Sequence, residues 1–383
     1  MENYDSSSPE PFHPLRLMVK GLAGSGKTVL INTLVTVIRE IFGINDAVHV
    51  CAPTGSAASN IRGMTIHRLL EVTVHTGLQD LKLELSESRR KALIDRLKQT
   101  VAIIVDERGL LSLDVLGTAT YNITQTAHGG QHQGEDLGGI PIMIMLGDDY
   151  QLPSIAKGPF NILISQNSRG FTARETLGQE KFLQFAEDVM LLGQSKRSRS
   201  DQHLFRSILD EARESQITAN MAKLITDELL LNKYSDTEIK TLAKDALFIS
   251  ANKDPVHEYN LKSLKDISST ENPVAIIKSA TSQGTKKGVD SHFVGSSSPK
   301  TVLLCNNAQV NIAGKNFNPS WGLFNGAMGS VHAIVYAEGE SPNEGHQPLY
   351  VVVCFENYCG PVWNTNDPKV NTPKYVHLSK IVH

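Results

Sequence analysis

Residues 21–28 read G-L-A-G-S-G-K-T, a complete G-x-x-x-x-G-K-T spacing set between the apolar run R-L-M-V-K and the run V-L-I-N-T-L-V-T-V-I. That spacing suits phosphate chemistry. Glycines let the backbone curl so that successive N–H groups and a helix N-terminus converge on phosphate oxygens. The lysine reaches the β and γ oxygens, and the hydroxyl after it binds Mg²⁺. Gly21, Gly24, Ser25, Gly26, Lys27 and Thr28 are therefore candidate nucleotide-binding residues. A second piece is V-A-I-I-V-D-E at 101–107, an apolar strand ending in two carboxylates. Asp106, with Thr28, is placed to hold Mg²⁺, and Glu107 to polarise an attacking water. Two acids after a strand are also an ordinary helix N-cap; the upstream phosphate loop decides in favour of catalysis. The third piece, G-D-D-Y-Q-L-P at 147–153, follows the apolar run P-I-M-I-M-L. It puts Gln151 at a strand tip, where it can contact the γ-phosphate or its water. Taken alone, the same residues read as a G-D turn.

These groups must be carried by a frame. From 15 to 250 the chain alternates short apolar runs with longer amphipathic stretches, which predicts an α/β protein with a mainly parallel sheet. Strands are expected at 16–20, 47–51, 101–105, 142–146, 189–192 and 246–250, and crossover helices at 28–42 and 87–98. The stretch 128–139, H-G-G-Q-H-Q-G-E-D-L-G-G, reads as a polar surface loop, and 263–300 as a mobile insertion whose one apolar segment is 273–277. Beyond it, 301–305, 329–336 and 349–355 read as strands of a smaller second domain.

Composition narrows the class without naming a ligand. The 383 residues suffice for two or three domains; 40% hydrophobic and 20% charged excludes disordered and coiled-coil chains. With 37 basic against 40 acidic residues the net charge is -3, so any nucleic-acid contact has to come from a local basic groove. Cys51, Cys305, Cys354 and Cys359 form neither a zinc pattern nor a disulfide framework. No segment is apolar enough to span a bilayer, and the acidic start M-E-N-Y-D-S-S-S-P-E-P is unlike a secretory leader, so an intracellular protein is expected.

Taken in order, G-L-A-G-S-G-K-T, A-P-T-G-S-A-A-S-N-I-R-G-M-T-I-H at 52–67, V-D-E and G-D-D-Y-Q-L-P resemble the PIF-family 5′-to-3′ DNA helicases of superfamily one, relatives of RecD. The 52–67 run is the most specific of these. K-R-S-R-S-D-Q-H-L-F at 196–205 resembles the family's arginine motif, and A-N-K-D-P-V-H-E-Y-N, L-L-C-N-N and G-L-F-N-G-A-M-G its second-domain signatures. The resemblance covers roughly 15–358. It implies tandem RecA-like domains that clamp ATP and Mg²⁺ between them and bind single-stranded DNA: a disordered 1–14, an ATPase domain at 15–195, and a second domain at 196–383. It also implies that Arg197 is the arginine finger, with Arg199 the competing position, and that Pro53, Thr54, Gly55, Thr65, His67, Asn325 and Gly326 lie at the DNA. Trp321 and Phe324 are either base-stacking or core residues. A monomer acting at single-stranded DNA and duplex junctions, in repair, recombination or telomere maintenance, in the nucleus or another DNA-containing compartment, follows from the same likeness.

Three departures qualify it. No Gln-containing adenine-reading segment precedes residue 15. The family's D-E-I-S-M stands here as D-E-R-G-L at 106–110, which predicts loosened geometry after the acids. The chain also ends without the family's H-K-x-Q-G-x-T motif, which predicts an incomplete second domain. A nucleotide- and DNA-binding protein without turnover is the alternative reading. A small-metabolite kinase would leave the 52–67 and 147–153 motifs unexplained.

Overall fold

The structure, a computed structural model, describes residues 14–73, 85–126, 135–154, 171–196, 203–214, 216–228, 234–243, 246–278, 301–313, 317–362 and 375–379. The chain forms two units, one ending at Gln216 and one beginning at Ile217.

The first unit runs β1 (Leu15–Gly21), α1 (Lys27–Phe42), β2 (Val48–Ala52), α2 (Gly55–Asn60), β3 (Met64–Thr65), α3 (Ile66–Leu69), α4 (Glu87–Leu97), β4 (Ala102–Val105), α5 (Leu113–Thr126), β5 (Ile142–Gly147), α6 (Ala173–Phe185), β6 (Asp188–Leu192) and α7 (His203–Arg213). The six strands form one parallel sheet in the order β3-β2-β4-β5-β1-β6. The Val/Ile/Met runs of β1, β2, β4 and β5 are covered on both sheet faces, as parallel strands require, whereas Val189, Met190 and Leu191 of the edge strand β6 are exposed. Met18, Ile103, Val105, Met143 and Met145 pack on one face with residues of α3 to α6. Val19, Val48, Ile104, Ile144 and Leu146 pack on the other with Ile31 and Ile38 of α1. Helices α5 and α6 cross at Gly117 and Gly178, where a Cβ on Gly178 would stand 2.0 Å from the Leu113 carbonyl oxygen. Only a residue without a side chain permits that approach. The units divide after Gln216, where motif order suggested 195/196, and within the first of them Arg213 at the end of α7 binds Asp148.

The second unit contains α8 (Ala219–Glu228), α9 (Asp236–Ala243), α10 (Lys253–Ile267), β7 (Ala275–Lys278), β8 (Thr301–Leu304), β9 (Gln309–Asn311), β10 (Met328–Val335), β11 (Tyr350–Phe355) and β12 (Tyr375–Ser379). Its described strands pair antiparallel, β7 with β8 and the rest in the order β12-β11-β10-β9, so the parallel pattern belongs to the first unit. No α-helix is described between β9 and β10 or between β10 and β11 to carry the chain back for a parallel partner. Val331, Val351, Val353, Phe355, Leu323 and Phe324 form its core.

Three expectations are corrected. Residues 246–250 are not a strand: Leu247 and Ile249 are exposed, and Phe248 stacks on Tyr259 of α10 at 4.4 Å between ring centroids. An apolar run becomes a strand only where an edge receives its backbone. The stretch from 263 is ordered to Lys278, as the end of α10 and then β7; residues 279–300 lie outside the described set. Within 128–139, residues 135–139 are not a surface loop, since Leu137 is buried and Asp136 pairs with Arg16 and Lys181; 128–134 lie outside. The N-terminal segment to residue 13 is likewise not described. Among the described residues no helix is long and apolar enough to cross a membrane.

Candidate active site

Strand β1 stops at Gly21, and the chain turns through 22–26 into α1. Gly24 and Gly26 take φ of 78° and 97°, left-handed values that open the loop. The turn closes with the Ser25 N–H donating to the Leu22 carbonyl at 3.1 Å. Gly26 is the N-cap of α1, and the first turn carries no acidic residue, so the helix end offers its N–H groups and positive dipole to an anion. Ser25 Oγ is buried without a hydrogen-bond partner among the described residues. Lys27 Nζ donates to the carbonyls of Gly21 at 2.8 Å and Leu22 at 3.2 Å, and Thr28 is exposed beside it. An incoming phosphate would compete for Lys27.

Parallel registration brings the other two motifs to the same sheet end. Lys20 pairs with Gly147 in β1–β5, and Val105 with Met145 in β4–β5. Strand β5 thus lies between the phosphate loop and the acidic pair, so the Asp148–Gln151 turn sits between them. Asp106 is buried, and its Oδ1 accepts from the Glu107 N–H at 2.9 Å. Burial pushes its carboxyl above the usual range, against that hydrogen bond and the charge of Lys27. Glu107 is also raised, by burial first and then by Asp106, with Lys27 opposing and Asp148 adding. Its backbone is left-handed at φ 52°, ψ 44°, a conformation a glutamate adopts only when its surroundings hold it there. Gln151 is exposed, and its N–H donates to the Asp148 carbonyl at 3.3 Å.

The structure brings Gly21, Gly24, Ser25, Gly26, Lys27, Thr28, Asp106, Glu107 and Gln151 together in the first unit. Pro53, Thr54 and Gly55 follow β2, where the Thr54 hydroxyl accepts from the Ala57 N–H at 3.2 Å and caps α2. Thr65 caps α3 in the same way, and His67 is held below its ordinary pKa by burial, so it is neutral at pH 7. Asn325 and Gly326 are exposed in a turn of the second unit, with Gly326 at φ 94°. Phe324 is buried in that unit's core, which removes it from the base-stacking pair, whereas Trp321 is 38% exposed. Arg197 and Arg199 lie outside the described residues. The approach to them is described: Ser195 Oγ donates to the Ala23 carbonyl at 3.0 Å and the Lys196 N–H to the Gly24 carbonyl at 2.7 Å.

Motif reading missed Lys20, Arg108, Asp148, Asp149 and Arg213. Arg213 Nη2 donates to both carboxylate oxygens of Asp148 at 2.7 Å, and its guanidinium lies 4.7 Å over the Tyr150 ring. Asp149 pairs with Arg108 and, at 3.1 Å, with Lys20. The two aspartates were visible in G-D-D-Y-Q-L-P, but an Arg 65 residues away leaves no local signal.

Over 325 residues, 82% of this chain and 44% of the relative, the sequence is 24% identical to the ATP-dependent DNA helicase Pif1 of Psychrobacter sp.. A 139-residue stretch, 36% of this chain and 15% of the relative, is 34% identical to the ATP-dependent DNA helicase PIF1 of Saccharomyces cerevisiae. The chain thus spans less than half the length of these relatives. In fold it is similar to the crystal structure of the Candida albicans Pif1 helicase, with TM-score 0.63 at 22% identity over 95% of this chain and 74% of that one. It is also similar to the Bacteroides Pif1 helicase crystallised with ADP-AlF3 and ssDNA, with TM-score 0.58 at 22% identity over 90% and 70%. Residues 12–228, more than half of the chain, match the family described as PIF1-like helicase. With the phosphate loop, the acidic pair and the Gln151 turn gathered on one parallel sheet, the chain belongs to the PIF1-like helicase family.

Proposed function

We propose that this chain is an ATP-dependent DNA helicase that couples ATP hydrolysis to 5′-to-3′ movement along single-stranded DNA and unwinding at duplex junctions. The observation that carries the reading is the convergence of Lys27, Asp106, Glu107 and Gln151 at the ends of three neighbouring strands, β1, β4 and β5. The N–H groups at the start of α1 and Lys27 bind the phosphates of ATP. Glu107, its pKa raised by burial and by Asp106, takes a proton from the attacking water while Gln151 orients that water. Arg197 supplies charge to the transferring phosphoryl group, with Arg199 the competing position.

Thr28 and Asp106 offer two hard oxygen donors, and no group of three or more metal-ligating side chains occurs among the described residues. That set fits Mg²⁺, which keeps several waters and takes its remaining ligands from phosphates. Bound there, it would neutralise charge on the β and γ oxygens. The turns at Pro53, Thr54 and Gly55, with Thr65 and His67 and with Asn325 and Gly326 of the second unit, contact the DNA backbone through N–H groups and hydroxyls. Such contacts suit binding without sequence preference. A monomer working in the nucleus or another DNA-containing compartment, in repair, recombination or telomere maintenance, completes the proposal.

Steady-state ATP hydrolysis with Mg²⁺, with and without single-stranded DNA, tests it. DNA stimulation that both Lys27→Ala and Glu107→Gln abolish is the expected result. ATP binding with no turnover in the unmodified chain overturns the motor and leaves a nucleotide-binding protein.

A further inference from the structure

Arg108 heads the fully buried side chains of the described residues, at 1% exposure, and it follows Glu107 directly. A charge this deep is costly unless paired. Its Nη2 donates to Asp149 Oδ1, while Nε and Nη1 have no hydrogen-bond partner among the described residues. The Arg108 stem fills the space beside Gly147: a Cβ on that glycine would stand 2.7 Å from Arg108 Cγ. Burial draws the guanidinium down to about 10, so it stays charged at neutral pH, and Asp148 opposes that fall. Asp149 in turn holds Lys20, the last residue but one of β1, and Asp148 holds Arg213 at the end of α7. Four elements are thereby tied at one point: the end of β1, the turn after β4, the turn after β5 and the C-terminus of α7.

We propose that the Arg108–Asp149 ion pair, backed by Asp148–Arg213, is a positioning lock that holds Glu107 and Gln151 in fixed relation and ties both to α7. The inference rests on the hydrolytic roles given above to Glu107 and Gln151. Glu107 sits in a left-handed backbone conformation that tends to relax. Anchoring the very next residue in the core through a charge on the neighbouring strand's turn prevents that relaxation. Asp149 stands two residues before Gln151, and its partner Arg108 one residue after Glu107, so the pair links the two turns close to both residues. In this proposal the D-E-R-G-L departure gives the turn after the acids an anchor of its own, the buried Arg108. Arg108 and Asp149 act through Glu107 and Gln151 and need not touch ATP.

The test is a double-mutant cycle in the full chain with Arg108→Gln, Asp149→Asn and both, beside the conservative Arg108→Lys. Readouts are kcat and KM for DNA-stimulated ATP hydrolysis, and amide hydrogen exchange over 107–111 and 147–152. The lock predicts a kcat loss of about 10-fold or more in each single variant, with KM for ATP within about 3-fold. The double variant should be no worse than the poorer single one, and Arg108→Lys should recover part of the loss. Exchange at 147–152 should rise in Arg108→Gln, although that substitution is 41 residues away from Asp149 in sequence. If Arg108→Gln does not fold, Asp149→Asn and Arg108→Lys decide by the same criteria, since Asp149 is partly exposed and Asn keeps its volume. Unchanged kcat in the singles, losses that multiply in the double, or a KM effect alone overturns the lock. If the unmodified chain does not hydrolyse ATP, the functional reading fails by itself. Exchange then decides the lock, with unchanged protection at 147–152 counting against it.

Discussion

Glu107 and Asp106 place two carboxyls, both raised above their ordinary range, at the end of one strand, and this has consequences for turnover and for stability. For turnover, Glu107→Gln should keep nucleotide binding while lowering kcat by about 100- to 10,000-fold, the usual worth of a positioned base. For stability, a carboxyl with a raised folded pKa binds protons more readily in the native state than in the unfolded chain. Its contribution to folding therefore falls as pH rises from its unperturbed 4.5 through the raised value. Glu107→Gln removes that ionised group and its repulsion with Asp106, so its melting temperature should exceed that of the unmodified chain at pH 7. The difference should shrink as pH is lowered toward 4.5. Thermal melts of the two proteins across pH check the sign, and a variant that melts lower at every pH would contradict it. The acids themselves were legible in V-A-I-I-V-D-E, because an apolar strand ending in carboxylates is a local pattern. Their raised pKa values were not, because burial is a property of the packed sheet.

Among the elements, the α5–α6 crossing is the one most sensitive to a single atom. Gly178→Ala would drive its methyl into the Leu113 carbonyl and should cost about 1–3 kcal/mol. The melting temperature should fall by about 2–4 °C per kcal/mol for a unit of this size, as read by circular dichroism. Helix α2 carries a second prediction. Thr54→Ala removes its cap and about 1 kcal/mol, while Thr54→Ser keeps the bond. If the proposed DNA contact is also right, fluorescence anisotropy with a labelled oligonucleotide should show weaker binding for Thr54→Ala and near-normal binding for Thr54→Ser. Five of the six expected parallel strands were readable from apolar runs bounded by turns. The run at 246–250 misled for a physical reason: an apolar run does not tell whether a sheet edge receives its backbone, and here Leu247, Phe248 and Ile249 stay exposed, with Phe248 stacked on Tyr259.

At the scale of the molecule, all the described residues assigned to ATP and Mg²⁺ belong to the unit ending at Gln216. A fragment of residues 14–216 should therefore bind a fluorescent ATP analogue with an affinity within about tenfold of the full chain, a 1.4 kcal/mol allowance. Loss of binding would place part of the nucleotide site beyond Gln216. The net charge of -3 supplies no general attraction to DNA, so the affinity has to come from a few local phosphate contacts. Three such contacts, at a slope of about 0.7 each for single strands, would weaken binding about 20-fold between 50 and 200 mM salt. A salt-insensitive affinity would argue against a phosphate-binding groove. The residues proposed for the chemistry, in the phosphate loop, the acidic pair and the glutamine turn, were legible in the sequence alone, because each depends on residue types at fixed short spacing next to an apolar strand. The tertiary structure alone decided that β5 separates the phosphate loop from the acids, that the second unit's described strands run antiparallel, and that Arg108, Asp149, Asp148 and Arg213 meet. Strand order and ion pairing between residues 41 and 65 apart depend on which surfaces bury together, and no spacing along the chain encodes that.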